Sequence, residues 1–281
     1  MQDVKTLPRI GLVLGGGGAR GIAHVAVIEA LDEMGVTPAA IAGTSIGAIY
    51  GAARAGGLSG AELRVRTLES FANRTAALAK LWTLRPKRLG DLFSGGLGLG
   101  QLSPERILEI FVGDALPASF DDCPIPLALV ATDFYGGREA ILTRGALRRA
   151  VAASIALPTL FSPVVIDGRV LMDGGIMNPV PVDALPVEVD LVVAVDVVSF
   201  PEPADGKVAP GAFDAVFGAS QLMQQQIAAF KFEARRPDLL IRPPVNDVRM
   251  LDFLAAEKVL TAAEPTKEEV KRRLGRLIEA W

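Results

Sequence analysis

The chain has 281 residues, half of them apolar, and a formal net charge of −3. Near-balanced charge removes any global electrostatic case for a nucleic-acid partner, and the single cysteine, Cys123, excludes an intrachain disulfide and fits a reducing compartment. At this size a domain buries roughly 75% of its unfolded surface without staples, so the apolar half of the sequence is expected to fill one core.

The N-terminal stretch places Asp3 ahead of an apolar run broken by glycines, so it does not read as a signal peptide. No window holds the ~18 unbroken apolar residues of a membrane span, and a cytoplasmic chain is expected. RIGLVL (9–14) is short and mostly apolar, the pattern of a strand buried on both faces. After the glycines at 15–18, the spacing of Ile22, Val25, Ala26, Ile28 and Leu31 predicts a helix ending near Gly35. PAAIAG (38–43) predicts a second strand, and IGAIYGAARAGG (46–57) a helix of small residues able to lie close to a sheet. A helix over 61–80 follows, then LWTLRPKRLGDLFSGGLGLGQLS (81–103), rich in glycine and large apolar residues. Ser103–Pro104 opens the helix of PERILEIFVG. PLALVATD (126–133) and LVVAVDVV (191–198) read as buried strands, and VVIDGRVLM (164–172) as a hairpin turning at Asp167–Gly168. LLIRPP (239–244) is a last strand. In the tail, Thr266 to Glu269 has the capping-box pattern ahead of a stripe of Val270, Leu274, Leu277, Ile278 and Trp281. Strands alternating with helices predict an α/β fold, a three-layer α/β/α sandwich with a largely parallel central sheet. One domain is expected over 1–281, with a core at 9–200 and a further strand and helices at 211–281.

Two glycine-rich stretches carry chemistry. Gly43-Thr44-Ser45-Ile46-Gly47 matches G-x-S-x-G between a strand and a helix. In such a turn the serine is strained, its hydroxyl projects from the sheet, and the helix starting at Ile46 aims its free N–H groups at the same point. The plain alternative is a serine N-cap in a glycine-rich turn. A reactive hydroxyl needs a base. The single histidine, His24, lies upstream of the serine, against the order of an α/β-hydrolase triad. The base is therefore His24 in an unusual order or a carboxylate. Asp173, where an apolar strand stops before Gly174 and Gly175, is the best carboxylate; Asp133 and Asp196 also end strands and are rivals. Asp167 and Asp183 read as turn and helix-start residues. A free aspartate, with a pKa near ~3.9, is a weak base, so a Ser–Asp pair needs a desolvated carboxylate and a strong oxyanion site. Gly16, Gly17 and Gly18 would supply that site through unobstructed backbone N–H groups.

GGGGARGIAH, GTSIGA and DGGIMNPVPV, in that order, closely resemble the patatin-like phospholipase family, and the resemblance extends to ATDFYGG, ALRRAVAASIALPTLFSPV and LDFLAAEK. It covers most of residues 9–258 and is nearest to compact bacterial members. The resemblance implies a lipid acyl hydrolase with a Ser–Asp dyad that needs no cofactor or metal. It puts the nucleophile on Ser45, the general base on Asp173 and the oxyanion hole on Gly16, Gly17 and Gly18 with Ile46. The motif glycines are Gly21, Gly43, Gly47, Gly174 and Gly175, the last two standing in a DGG variant of D-G-[AG].

Around these residues, Arg20 is read as bracing the glycine loop through backbone carbonyls, with a phosphate head-group contact as the alternative. His24 is read as packing or bonding the loop, Ser154 as a helix-packing serine with a second hydroxyl in the pocket as the alternative, and Asn178 with Pro179 as shaping the turn that presents Asp173. Residues 81–103 are the lipid-facing segment: Trp82, Leu92, Phe93, Leu97 and Leu99 would line an acyl pocket or lid, and Arg85, Lys87 and Arg88 would meet anionic head groups of the inner membrane face. The competing reading of that segment is an ordinary loop. Two other functions compete with the hydrolase. A non-catalytic lipid-binding or regulatory protein of the same fold would carry an idle Ser45. A dinucleotide-binding domain would use Gly16-x-Gly18-x-x-Gly21, but no acidic residue stands about 20 positions beyond that loop to hold a ribose.

Overall fold

The computed structural model describes residues 7–71, 102–201 and 209–281. The segment 81–103 therefore lies outside the described residues except for Leu102 and Ser103, as does the latter part of the helix expected over 61–80. Eight strands form one sheet: β1 (Ile10–Leu14), β2 (Ala40–Thr44), β3 (Leu127–Asp133), β4 (Arg138–Leu142), β5 (Val164–Ile166), β6 (Arg169–Asp173), β7 (Leu191–Val195) and β8 (Leu239–Ile241). The helices are α1 (His24–Glu33), α2 (Ile46–Ala55), α3 (Gly60–Phe71), α4 (Pro104–Phe111), α5 (Leu147–Ser154), α6 (Ala212–Ala234) and α7 (Ala256–Ala280).

Strands β3, β2, β1, β7 and β8 run parallel, in that spatial order. Every residue of β1, β2, β3 and β7 is buried, as expected for a sheet covered on both faces. Alternate residues part to two cores. Leu12, Leu14, Ile41, Leu129 and Val193 point to one, shared with α1, α2, α5 and α7. Val13, Ala42, Val130 and Ala194 point to the other. Each fully buried leucine of this kind contributes about 1.5–3 kcal/mol. The second face carries a thinner cover: α6, through Ala228 and Phe232, and the irregular stretch that includes Val180, Val182 and Ala184.

The antiparallel part of the sheet positions the site. Residues Ala131, Thr132 and Asp133 pair with both β4 and β6, so those strands lie on opposite edges of β3. Leu129 and Val130 pair with both β4 and β2, so β2 also lies opposite β4. Strands β2 and β6 thus share one edge of β3 and run toward each other, with Thr44 opposite Val130 and Asp173 opposite Ala131.

Three local expectations need correction. The helix after the glycines begins at His24, preceded by a 3-10 segment from Gly18 to Ala23 that carries the loop into it. The tail helix starts at Ala256 and passes through Pro265, so Thr266 is a buried interior residue and not an N-cap; packing of Val259, Leu260 and Ala263 into the core overrides the local start signal. Strand β4 was not anticipated; it alternates, with Ala140 and Leu142 buried and Ile141 exposed. The hairpin turn stands as expected, with φ of 50° at Asp167 and 73° at Gly168.

Helix α2 lies so close to the strand ends that a Cβ on Gly47 would meet the Leu14 carbonyl oxygen at 2.1 Å, and one on Gly43 would meet the Gly47 carbonyl oxygen at 2.6 Å. Backbone on backbone cannot yield as a side chain does. Gly47→Ala is expected to lower unfolding free energy by about 1–3 kcal/mol or to prevent folding, measured by chemical denaturation.

Candidate active site

Where β2 and β6 meet head-on, neither can continue along β3, and both leave the sheet in tight turns. The β2 turn is Ser45, with φ 54° and ψ −122°. A non-glycine residue held there stores strain of order 1–3 kcal/mol. Its N–H donates to Ser154 Oγ at 2.9 Å, and that hydroxyl donates to the Val130 carbonyl at 2.6 Å. Ser154 is fully buried and acts as a one-hydroxyl extension of the β2–β3 ladder. It was read from the sequence as a packing serine; its position at the end of α5 gave no sign that it would hold the Ser45 amide.

The half-buried Ser45 does not cap α2 with its side chain. Its Oγ donates instead to Asp173 Oδ2 at 2.6 Å. Asp173 is 4% exposed, and its Oδ1 accepts the Gly175 N–H at 2.8 Å. Burial pushes its pKa up to about 6, against the pull of the Ser45 hydroxyl and the Gly175 amide. No cation is among its hydrogen-bond partners in the described residues. Because the folded pKa lies above the usual 3.8, this group favours the fold below that value, and the contribution is lost as pH rises through about 6. The Asp173 turn is fixed by two threonines that the sequence reading passed over. Thr132 Oγ1 donates to the Asp173 carbonyl and Thr44 Oγ1 to the Asn178 carbonyl, both at 2.8 Å.

The other candidate bases are engaged elsewhere. His24 is fully buried, with Nε2–H donated to the Gly15 carbonyl at 2.8 Å, and burial drops its pKa to about 4. It braces the glycine loop. Asp133 accepts the Gly136 N–H and faces Arg138; Asp196 accepts the Val198 N–H and Arg242 Nε. Asp183 meets Asn178 and Lys231.

The glycine loop is narrower as an anion site than its sequence suggests. Gly16 packs against Ser45, since a Cβ there would lie 3.3 Å from Ser45 Cβ, but its N–H already donates to the Pro179 carbonyl at 2.8 Å. The amides of Gly17, Gly18 and Ile46 donate to no acceptor among the described residues. Gly18 has φ 61°, and a Cβ on it would meet the Met250 carbonyl oxygen at 2.1 Å. Arg20 is buried and donates through Nε to the Val248 carbonyl at 2.6 Å, so it braces the loop through a backbone carbonyl of the 245–250 segment. Among the described residues no three His, Cys, Asp or Glu side chains group as metal ligands.

The patatin-like phospholipase family model matches residues 12–186, more than half of the chain. An uncharacterized NTE family protein of Mycobacterium tuberculosis is 39% identical over 189 residues, covering 67% of this chain and 49% of that protein. The chain thus spans about half the length of that relative. Patatin-like phospholipase domain-containing protein 7 of Rattus norvegicus is 34% identical over 205 residues, covering 70% of this chain and 14% of its own length. VipD from Legionella pneumophila, a solved structure, aligns over 94% of this chain and 67% of its own with 17% identity and a TM-score of 0.49.

Ser154→Ala leaves the Ser45 N–H and the Val130 carbonyl without their shared partner. A loss of about 1–3 kcal/mol in unfolding free energy is expected, read by denaturation, with Ser154→Thr restoring part of it.

Proposed function

The chain belongs to the patatin-like phospholipase family, and from that membership together with the geometry at Ser45 we propose that it is a lipid acyl-ester hydrolase working through a Ser45–Asp173 dyad. The single observation that carries this reading is the 2.6 Å hydrogen bond from Ser45 Oγ to Asp173 Oδ2, a buried carboxylate with no cation among its hydrogen-bond partners in the described residues. Ser45 Oγ attacks the acyl carbonyl while its proton passes to Asp173. Burial makes that carboxylate a stronger base than a free one, with a pKa of about 6, nearer to a working pH. The tetrahedral oxyanion is held by the amides of Gly17 and Gly18 with that of Ile46 at the start of α2, and the Gly16 amide, expected to join them, instead fixes the loop to Pro179. Collapse of the tetrahedral species expels the alcohol, which takes the proton from Asp173 and leaves an acyl-enzyme. Asp173 then draws a proton from an attacking water, and the second tetrahedral species collapses, freeing the fatty acid as Ser45 Oγ takes that proton back from Asp173. Phospholipase A or lysophospholipase specificity is part of the proposal. A non-catalytic lipid binder of this fold is the reading that the test below separates.

A fluorophosphonate probe is expected to label wild-type protein at Ser45 and to leave Ser45→Ala unlabelled and inactive on a panel of phospholipids and lysophospholipids. Absence of labelling and of fatty-acid release from the wild type, with the fold intact, overturns the hydrolase reading. Because the base must be ionised, kcat/KM is expected to rise with pH through an apparent pKa of about 6 and then level. Asp173→Asn is expected to lose that rise along with at least ~10³-fold in rate. A profile that follows His24→Ala instead would move the base to the imidazole.

A further inference from the structure

Helix α6 is apolar on much of its exposed face. Its inner face, toward the sheet and the Asp173 turn, is mixed: Ala228 and Phe232 pack on the second core, while Gln221 is buried, Gln224 lies against Gly175, Gln225 donates to the Val198 carbonyl, and Lys231 bridges Glu139 and Asp183. Its outer face carries Val216, Leu222, Met223 and Phe230, between 49% and 67% exposed, and Phe200, 58% exposed, adjoins it where Pro201 packs on Gly218. A surface helix of a water-soluble domain normally turns charged and polar residues outward, and a cluster of exposed large apolar side chains marks a contact surface; here exposed Gln226 is the polar residue set among them. From Val216 to Phe230 the sequence has no charged residue, a stripe of roughly 21 Å at the helical rise. Exposed Arg235 and Arg236 then follow, against one acid in that turn, Glu233.

We propose that the outer face of α6, with Phe200, is the surface on which this protein docks onto an anionic lipid bilayer. The inference rests on the lipid-hydrolase reading for its purpose and on the α6 surface for its substance. Three features favour a bilayer over other occupants. The stripe is uncharged along its length and ends in two exposed arginines, the pattern of a helix lying in the plane of a membrane with its cations at anionic head groups. No helix among the described residues is long and apolar enough to cross a membrane, so in-plane contact is the mode open to α6. The helix also stands on the turn that holds Asp173: Gln224 touches Gly175, and Lys231, Glu139, Asp183 and Asn178 close a ring of polar contacts around the chain just beyond it. Docking through α6 would bring the lipid phase to the dyad's side of the sheet.

The test uses the full chain in a Ser45→Ala background, so that vesicles are not consumed, and sedimentation with phosphatidylcholine vesicles with or without about 30% phosphatidylglycerol. The parent is expected to bind the anionic vesicles. The triple variant Leu222→Gln/Met223→Gln/Phe230→Gln is expected to lose at least ~10-fold in affinity, and Arg235→Gln/Arg236→Gln to lose the preference for phosphatidylglycerol. In the Ser45 background the triple variant is expected to hydrolyse monomeric p-nitrophenyl butyrate as the parent does, while its release of fatty acid from vesicles falls by a similar factor. Unchanged vesicle binding by a folded triple variant overturns the proposal. So does a parent dimer in sedimentation velocity that the triple variant dissolves, since the stripe is then an interface between copies. Failure of all ester hydrolysis would sink the hydrolase reading and leave the sedimentation result to decide the docking surface separately.

Discussion

Two strands aimed at each other along one edge of a third are the constraint on which the rest of the site depends. Strand β2 pairs along Val130 and stops at Thr44; β6 arrives from the opposite direction and stops at Asp173, opposite Ala131. Neither can advance without colliding with the other. Both must turn out of the sheet within one residue, and the two turns necessarily touch. This is why residues 128 positions apart come within hydrogen-bonding distance without a binding loop to carry them. The crowding also sets which residues are tolerated. A Cβ on Gly174 would lie 2.1 Å from the Val130 carbonyl oxygen and 3.2 Å from Thr44 Cγ2, so the third motif needs glycine for the same steric reason as the second.

The electrostatics follow from what the junction excludes. Asp173 sits between strand ends where backbone amides and hydroxyls are the available donors, and its pKa rises because burial outweighs them. Asp183 has the reverse outcome. Burial pushes it up, but the ammonium of Lys231 and the amide of Asn178 more than reverse the push, and its pKa ends below the ordinary value. Among the described residues the two aspartates differ by a neighbouring cation, and the one without it is the one whose pKa rises. His24 gives the complementary case. Buried to the same degree and bonded to Gly15, it is held neutral and its Nε2–H is committed. Its contribution to the site is the fixed position of the loop in front of Ser45.

The fold and the pair at its centre were legible because they rest on strong local signals. RIGLVL, PLALVATD and LVVAVDVV are apolar on both faces and became central strands; G-x-S-x-G and D-G-G mark turns that few other sequences can make. What escaped depends on partners distant in sequence. Ser154 looks like any small residue in a helix, and its role exists only because α5 ends beneath the β2–β6 junction. The Gly16 amide looked free until the Pro179 carbonyl arrived opposite it. Thr266 and Glu269 satisfy a local capping pattern, but the turn before them is already helical because Val259, Leu260 and Ala263 bury against the core. Local pattern specifies the strands and the tight turns; the hydrogen bonds that tune the site belong to the tertiary arrangement.

The polarity of α6 is a consequence of that same arrangement. The sheet face beneath it is built from small residues, Ala42, Val130 and Ala194 among them, and is partly filled by Val180, Val182 and Ala184 from the stretch after Asn178. Ala228 and Phe232 of α6 bury against it, and the rest of the helix's inner face meets the turn that holds Asp173. Polar side chains suit that ground: Gln225 donates to the Val198 carbonyl and Lys231 bridges Glu139 and Asp183, groups that an apolar side chain would strand at a cost of about 1–3 kcal/mol apiece. Beyond Ala228 and Phe232, the large apolar side chains Val216, Leu222, Met223 and Phe230 lie on the outside. From Val216 to Phe230, fifteen residues, the helix holds no charged side chains. Their absence argues that the outer face answers to a requirement of its own, set by what the protein meets at that surface.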